Sequence, residues 1–153
     1  MKLLTLRITK FRSFKQTAEF VFPSAPGLYF LWGDNKVESR LEANGAGKSS
    51  LWEALTWVIY GKTSKGLKAG DAANWEGGKG SRVELDVMVG GKVWTLTRTW
   101  SPIACTLRDE SGLVHDLTKD ESNTFAAALS LDFQSYLNCV LMAQGQPMFP
   151  LLR

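Results

Sequence analysis

The sequence predicts an α/β fold: a mixed sheet with β-hairpins and one buried helix packed against it. Three observations carry this. Apolar residues alternate with polar ones in "LLTLRIT", "RVELDVMV" and "KVWTLTRTW", the pattern of strands with one buried face. The stretch "GKSSLWEALTWVIYG" is apolar nearly all round, which marks a buried helix. Between that helix and a short apolar run lies "NGAGKSS", small and polar where the flanks are not.

Taken in order, "LLTLRITKFRSF" reads as a first strand with Leu4, Leu6 and Ile8 on one side. "KQTAEFVF" reads as its antiparallel partner, stopped by Pro23 and the turn "PSAPG". "GLYFLW" is short and almost wholly apolar, which predicts a buried strand. The helix follows, with Gly61 as its stop. Residues 62–81 form a polar, Gly-rich connection, long enough to point to a functional loop. "RVELDVMV", "GG" and "KVWTLTRTW" make a hairpin, with Val83, Leu85, Val87 and Val89 on one face. "ACTLRD", "ESG" and "LVHDL" make a second. From about Asp120 the pattern turns helical, through "ESNTFAAALS" and "LDFQSYLNCVLMAQ", until "GQPMFP" breaks it.

The 153 residues suffice for one domain with its own core. With 44% hydrophobic and 22% charged residues the chain is globular rather than disordered. A net charge of +3 is compatible with nucleic acid but too small to identify it as a partner. Cys105 and Cys139 have no metal-ligand spacing and read as reduced cysteines of a cytoplasmic protein. No run of about 18 apolar residues is present, so neither a membrane span nor a membrane partner is expected.

The chemistry concentrates in "LWGDNKVESRLEANGAGKSS". A phosphate loop reads G-x-x-x-x-G-K-[ST]. Counting back from Gly47, Lys48 and Ser49, the first glycine belongs at position 42, which is Glu42; the available glycine is Gly33, nine positions earlier. The part that touches phosphate is nevertheless contiguous. Anion binding needs converging backbone N–H groups at a helix entry, and glycine keeps side chains out of the way. Asn44, Gly45, Ala46, Gly47, Lys48, Ser49 and Ser50 meet that need. Lys48 is placed to reach the β- and γ-phosphates, Ser49 to coordinate Mg²⁺, and Ser50 to approach the α-phosphate. The bland alternative, a glycine-rich helix entry with an exposed lysine, leaves the order of two glycines, Lys and Ser unexplained.

Together with "LRITKFRSF", "VWTLTRTW" and "VLMAQGQPMF", this stretch resembles the N-terminal ATP-binding half of SbcC-type DNA-repair ATPases. These are SMC relatives in the ABC superfamily of P-loop NTPases, and they include phage recombination-endonuclease subunits. The likeness runs from residue 3 to about 150. It implies that residues 1–153 are a single N-terminal lobe, half of a composite head. It implies ATP and Mg²⁺ as cofactors, with Gly45, Gly47, Lys48, Ser49 and Ser50 cradling the triphosphate. "VLMAQG" resembles the Q-loop, so Gln144 would approach Mg²⁺ and the attacking water. Arg12 and Ser13 match positions near the base or ribose. Arg98 would pack or pair on the sheet.

Two departures stand out. The loop is opened: nine extra residues, 35–43 or 36–44, depend on whether Asn44 or Asn35 takes the family's asparagine. "KVESRLEA" has the composition of a helical turn. The second departure is that no apolar strand ends in Asp-Glu and no Ser-Gly-Gly signature is present. In the family those parts follow a long coiled coil, which would begin near "FPLLR". Phosphoryl transfer needs charge neutralisation from several directions, so the chain alone is expected to bind ATP–Mg²⁺ without appreciable turnover. The resemblance implies as partners the C-terminal lobe of the same parent protein, a second ATPase head in a homodimer, a nuclease subunit and double-stranded DNA. An unfinished sheet would leave apolar surface exposed.

Two other functions compete. Another P-loop enzyme, such as a kinase, would need an acceptor pocket and clustered downstream arginines, which the sequence does not offer. A DNA-binding module would use Lys62, Lys65, Lys68, Lys79 and Arg82, although Asp71 and Glu76 interrupt that run. His115 reads as a hairpin surface residue, Trp52 and Trp57 as core, and Trp75 as a candidate contact in the long connection.

Overall fold

In the computed structural model, residues 1–33, 46–66, 70, 79–119, 125 and 131–141 are described. Strand β1, Lys2–Thr9, lies between β2, Ala18–Val21, and β3, Ser81–Val89. The sheet continues through β4, Lys92–Trp100, β5, Ala104–Asp109, and β6, Val114–Asp116, in the order β2-β1-β3-β4-β5-β6. Every pairing is antiparallel. Both expected hairpins form; Gly90 and Gly91 turn the first with positive φ of 58° and 79°.

One face of the sheet is apolar, the other polar. Leu6 pairs with Leu85, Ile8 with Val83, and Leu85 with Leu96, so one set of side chains from three strands shares a face. All five are fully buried. The register shifts between Leu3 and Thr5, where Leu3 faces Val87 and Thr5 faces Asp86. This bulge changes the expected alternation: Leu3, not Leu4, packs against the core with Leu6 and Ile8. On the polar face, Arg7 bridges Glu19 and Asp86 at 2.8 Å each, and Thr95 donates to Asp86 at 2.8 Å.

Helix α1, Lys48–Tyr60, crosses β1, β3 and β4 and buries Leu51, Ala54, Leu55, Trp57, Val58 and Ile59. Trp57 meets Phe11 with ring centroids 5.3 Å apart. Trp52 departs from the expected core position: it is 38% exposed. Gly61 stops the helix as expected, at φ 69°, its N–H donating to the Trp57 carbonyl at 2.8 Å. Arg98 of β4 reaches under this end and donates from Nε to the Val58 carbonyl at 3.2 Å. Burial pushes its guanidinium below its ordinary pKa, with Cys105 opposing the shift.

Near the end of the described chain, α2, Phe133–Tyr136, runs into a π-helical turn, Leu137–Leu141. Asp132 caps α2 by accepting from the Ser135 N–H at 3.0 Å. Tyr60 joins α2 to α1: its ring lies 5.4 Å from Phe133 and 5.0 Å from Tyr136, and its hydroxyl donates to the Leu131 carbonyl at 2.9 Å.

The fold class is α/β, but one expected element is absent. Residues 28–32 form no strand and are largely exposed, with Leu28 at 103%, Phe30 at 85% and Trp32 at 69%. An apolar run becomes a buried strand only if a neighbour takes its backbone hydrogen bonds. Among the described residues, no strand of the sheet pairs with this run. The described sheet is therefore antiparallel rather than mixed. Of the expected helical region after Asp120, most of "ESNTFAAALS" lies outside the described residues.

Candidate nucleotide site

The site is built where α1 begins. Gly47 is its N-cap, in the left-handed conformation at φ 89°, and Lys48, Ser49 and Ser50 form the first turn. The cap is glycine, so it brings no side chain to occupy the first-turn amides. No acidic residue stands in that turn, and the helix dipole adds positive potential there. Ser49 is exposed and Ser50 buried.

A second segment closes on this entry. Residues 11–14 make a tight loop: Phe11 N–H donates to the Phe14 carbonyl at 3.0 Å, and Phe14 N–H returns to Phe11 at 2.9 Å. Arg12 sits inside it at φ 47°, a left-handed conformation uncommon for arginine. The loop lies over Gly47. A Cβ there would come 3.0 Å from Ser13 Oγ and 3.6 Å from the Phe14 ring. Glycine at 47 is thus required twice, by φ and by the closeness of Ser13.

The structure brings Arg12, Ser13, Ala46, Gly47, Lys48, Ser49 and Ser50 to one end of α1. Asn44, Gly45 and Gln144 lie outside the described residues, as do residues 34–43, Lys68, Asp71, Trp75 and Glu76. A Cβ on Gly33 would lie 2.7 Å from the Ala46 Cβ and 3.4 Å from Lys48 Cγ. The two ends of the opened loop therefore meet, and Gly33 borders the cradle despite its distance in sequence.

One residue of this region escapes motif reading. Glu53, in the second turn of α1, is 4% exposed. Its carboxylate accepts from the Ser64 N–H at 2.8 Å and also from the Ser64 hydroxyl, and lies 4.0 Å from Arg12 Nη1. The signal that could have found it is an acidic residue inside an otherwise apolar helix.

A nucleotide with its Mg²⁺ fits these residues. A Cβ-free cradle, a lysine at the helix entry and an exposed serine hydroxyl suit phosphate and a phosphate-linked cation. Among the described residues no cluster of three or more His, Cys, Asp or Glu would hold a metal ion by itself. The Asp109–Glu110 pair is not such a site: the Asp109 carboxylate accepts from Ser111 N–H, Ser111 Oγ and Leu113 N–H at 2.9, 2.6 and 3.0 Å, closing the β5–β6 turn. His115 is exposed on β6. No helix among the described residues is long and apolar enough to cross a membrane.

The family described as AAA domain matches residues 5–138. The chain is 29% identical over 157 aligned positions to the SbcC subunit of the SbcCD nuclease of Deinococcus radiodurans, covering 95% of this chain and 16% of that protein. The chain thus spans under a fifth of the length of this curated relative. It is also similar to the SMC head domain from Thermotoga maritima, at 20% identity and a TM-score of 0.45, covering 80% of this chain and 41% of that one. The chain belongs to the AAA-domain family.

Proposed function

We propose that this chain is the ATP-binding lobe of a DNA double-strand-break repair or recombination ATPase. Residues 44–50 cradle the triphosphate, with Arg12 and Ser13 at the edge, Ser49 on Mg²⁺, and Gln144 on Mg²⁺ and the attacking water. The observation that supports this best is Gly47: left-handed, directly before Lys48, and roofed by Ser13. A glycine with no room for a Cβ at the entry of a buried helix suits a bound phosphate. Loss of Mg²⁺-dependent ATP binding on Lys48→Ala, in a protein that still melts cooperatively, is the expected result. Equal binding by wild type and variant would overturn the reading.

Residues 1–153 are, in this reading, one lobe of a composite head. The exposed Leu28, Phe30 and Trp32 support a sheet that is completed by another lobe, that of the same parent protein. Hydrolysis then requires the acidic strand and signature segment of that lobe and of a second head, so the chain alone binds ATP without appreciable turnover. The relative's name, a subunit of the SbcCD nuclease, supports a nuclease subunit as partner of the parent protein; double-stranded DNA and a cytoplasmic setting are part of the same proposal. The DNA-module reading gains little. Lys62, Lys65 and Lys79 are exposed, but Lys62 Nζ lies 5.7 Å over the Phe133 ring and Arg82 pairs with Glu84 at 2.8 Å.

A further inference from the structure

We propose that Glu53 is a positioning residue of the nucleotide site, setting the place of Arg12 through its charge. The inference deepens the ATP-binding reading and rests on it. Glu53 follows Ser49 by four residues and Ser50 by three, so its side chain lies one turn below the two hydroxyls of the helix entry. A carboxylate only 4% exposed is costly unless charge and hydrogen bonds compensate it. Here both do, from two different segments. Ser64, in the turn where Gly66 N–H donates to the Thr63 carbonyl, bonds it through backbone and hydroxyl. Arg12, in the loop that roofs Gly47, brings its guanidinium to 4.0 Å.

The two partners do different things. Ser64 folds the chain back along α1 after the Gly61 stop, which is a structural bond. Arg12 is still 25% exposed and belongs to the same four-residue loop as Ser13. A flexible arginine beside a triphosphate has many rotamers, and restricting them in advance lowers the cost of binding. The nearby Glu53 charge contributes to that restriction. At 4.0 Å the pair is longer than a hydrogen bond, so Glu53 holds Arg12 through charge.

A double-mutant cycle on Mg²⁺–ATP affinity in the 153-residue chain tests this, with thermal unfolding followed in parallel and Lys48→Ala as the reference for lost binding. Glu53→Gln keeps the shape and an acceptor for Ser64 but removes the charge. Glu53→Gln and Arg12→Ala should each weaken binding by about tenfold, and the double variant should be no more than about twofold weaker than either single, the non-additivity of contacting residues. Ser64→Ala should lower the melting temperature yet leave affinity within about twofold and the Arg12→Ala effect intact. Additive losses, or a folded Arg12→Ala protein with wild-type affinity, would overturn the proposal while leaving ATP binding itself in place. No binding by the wild type would overturn both. If Glu53→Gln does not fold, Glu53→Asp takes its place; its carboxylate is withdrawn by one methylene, and wild-type affinity in folded Glu53→Asp would equally overturn the role.

Discussion

Gly33 and Ala46 touch across the opened loop: a Cβ on Gly33 would lie 2.7 Å from the Ala46 Cβ, closer than two such carbons can stand. The two described residues that flank positions 34–45 thus stand side by side at the entry of α1. Gly33→Ala should push Ala46, and with it Gly47, out of line. Overpacking costs roughly 1–3 kcal/mol, so the expected loss of Mg²⁺–ATP affinity is about tenfold or more. Gly33→Ala/Ala46→Gly returns the methyl's space and should recover most of it. Equal affinities in all three proteins would show that the contact does not shape the cradle.

A second close approach governs Gly47. At φ 89°, with Ser13 Oγ 3.0 Å from any added Cβ, alanine there meets both backbone strain and a neighbour. The left-handed conformation alone costs about 1–2 kcal/mol for a residue with a Cβ. Gly47→Ala should therefore abolish measurable ATP binding. Adding Ser13→Gly should restore only part, because relief of the contact leaves the φ strain. Isothermal titration of the single and double variants separates the two causes, and full recovery in the double variant would mean that strain is negligible.

The apolar run at 28–32 makes a prediction about association. Leu28, Phe30 and Trp32 are all exposed, with the Phe30 and Trp32 rings 6.2 Å apart. Exposed apolar clusters of this kind mark interaction surfaces. Leu28→Ser/Phe30→Ser/Trp32→Ser should reduce concentration-dependent light scattering of the isolated chain, with its melting temperature nearly unchanged, since these residues contribute little to the described core. A large drop in stability would place them inside a core instead.

That same run shows where the sequence can be read and where it cannot. The hairpins are legible because each strand's partner is its neighbour in sequence, and the alternation of Val83, Leu85 and Val87 names the buried face. Helix α1 is legible from its apolar run and the Gly61 stop. The run at 28–32 misleads because hydrophobicity reports a need for burial and says nothing of whether a partner is present. Leu4 misleads because a bulge shifts register without leaving a mark in composition. At the site, Gly47 and Lys48 belong to a motif, whereas the meetings of Gly33 with Ala46 and Glu53 with Arg12 join segments that only folding brings together.

The end of α1 offers a stability test independent of nucleotide. A Cβ on Gly61 would lie 3.0 Å from Arg98 Nη1, and φ there is 69°. Gly61→Ala should cost about 1–2 kcal/mol for the left-handed backbone, and more if Arg98 is displaced from the Val58 carbonyl. Arg98→Met keeps much of the stem but removes a cation from the helix C-terminus, an effect of up to about 2 kcal/mol when partly buried. If Arg98 matters chiefly through this end of the helix, the double variant should be less destabilised than the sum of the singles. Strict additivity in urea denaturation would argue that the two act separately.

Tyr60 ties stability to alkaline pH. Burial, aided by the nearby Tyr136 and Asp132, pushes its hydroxyl up to about 12. The neutral phenol is the form the fold accommodates, donating to Leu131 at 2.9 Å. Because the folded value lies above the ordinary one of about 10, the folded chain holds this proton more tightly than the unfolded chain. The stabilisation is whole below pH ~10 and is lost as pH rises from there toward ~12. Tyr136, also raised by burial, acts in the same direction. Urea midpoints measured from pH 9 to pH 11 should fall more steeply for the wild type than for Tyr60→Phe, which lacks the titrating group. The variant should start lower at pH 9, having lost the bond to Leu131, so the two curves should converge as pH rises. Parallel curves would mean that Tyr60 titrates alike in the folded and unfolded chains.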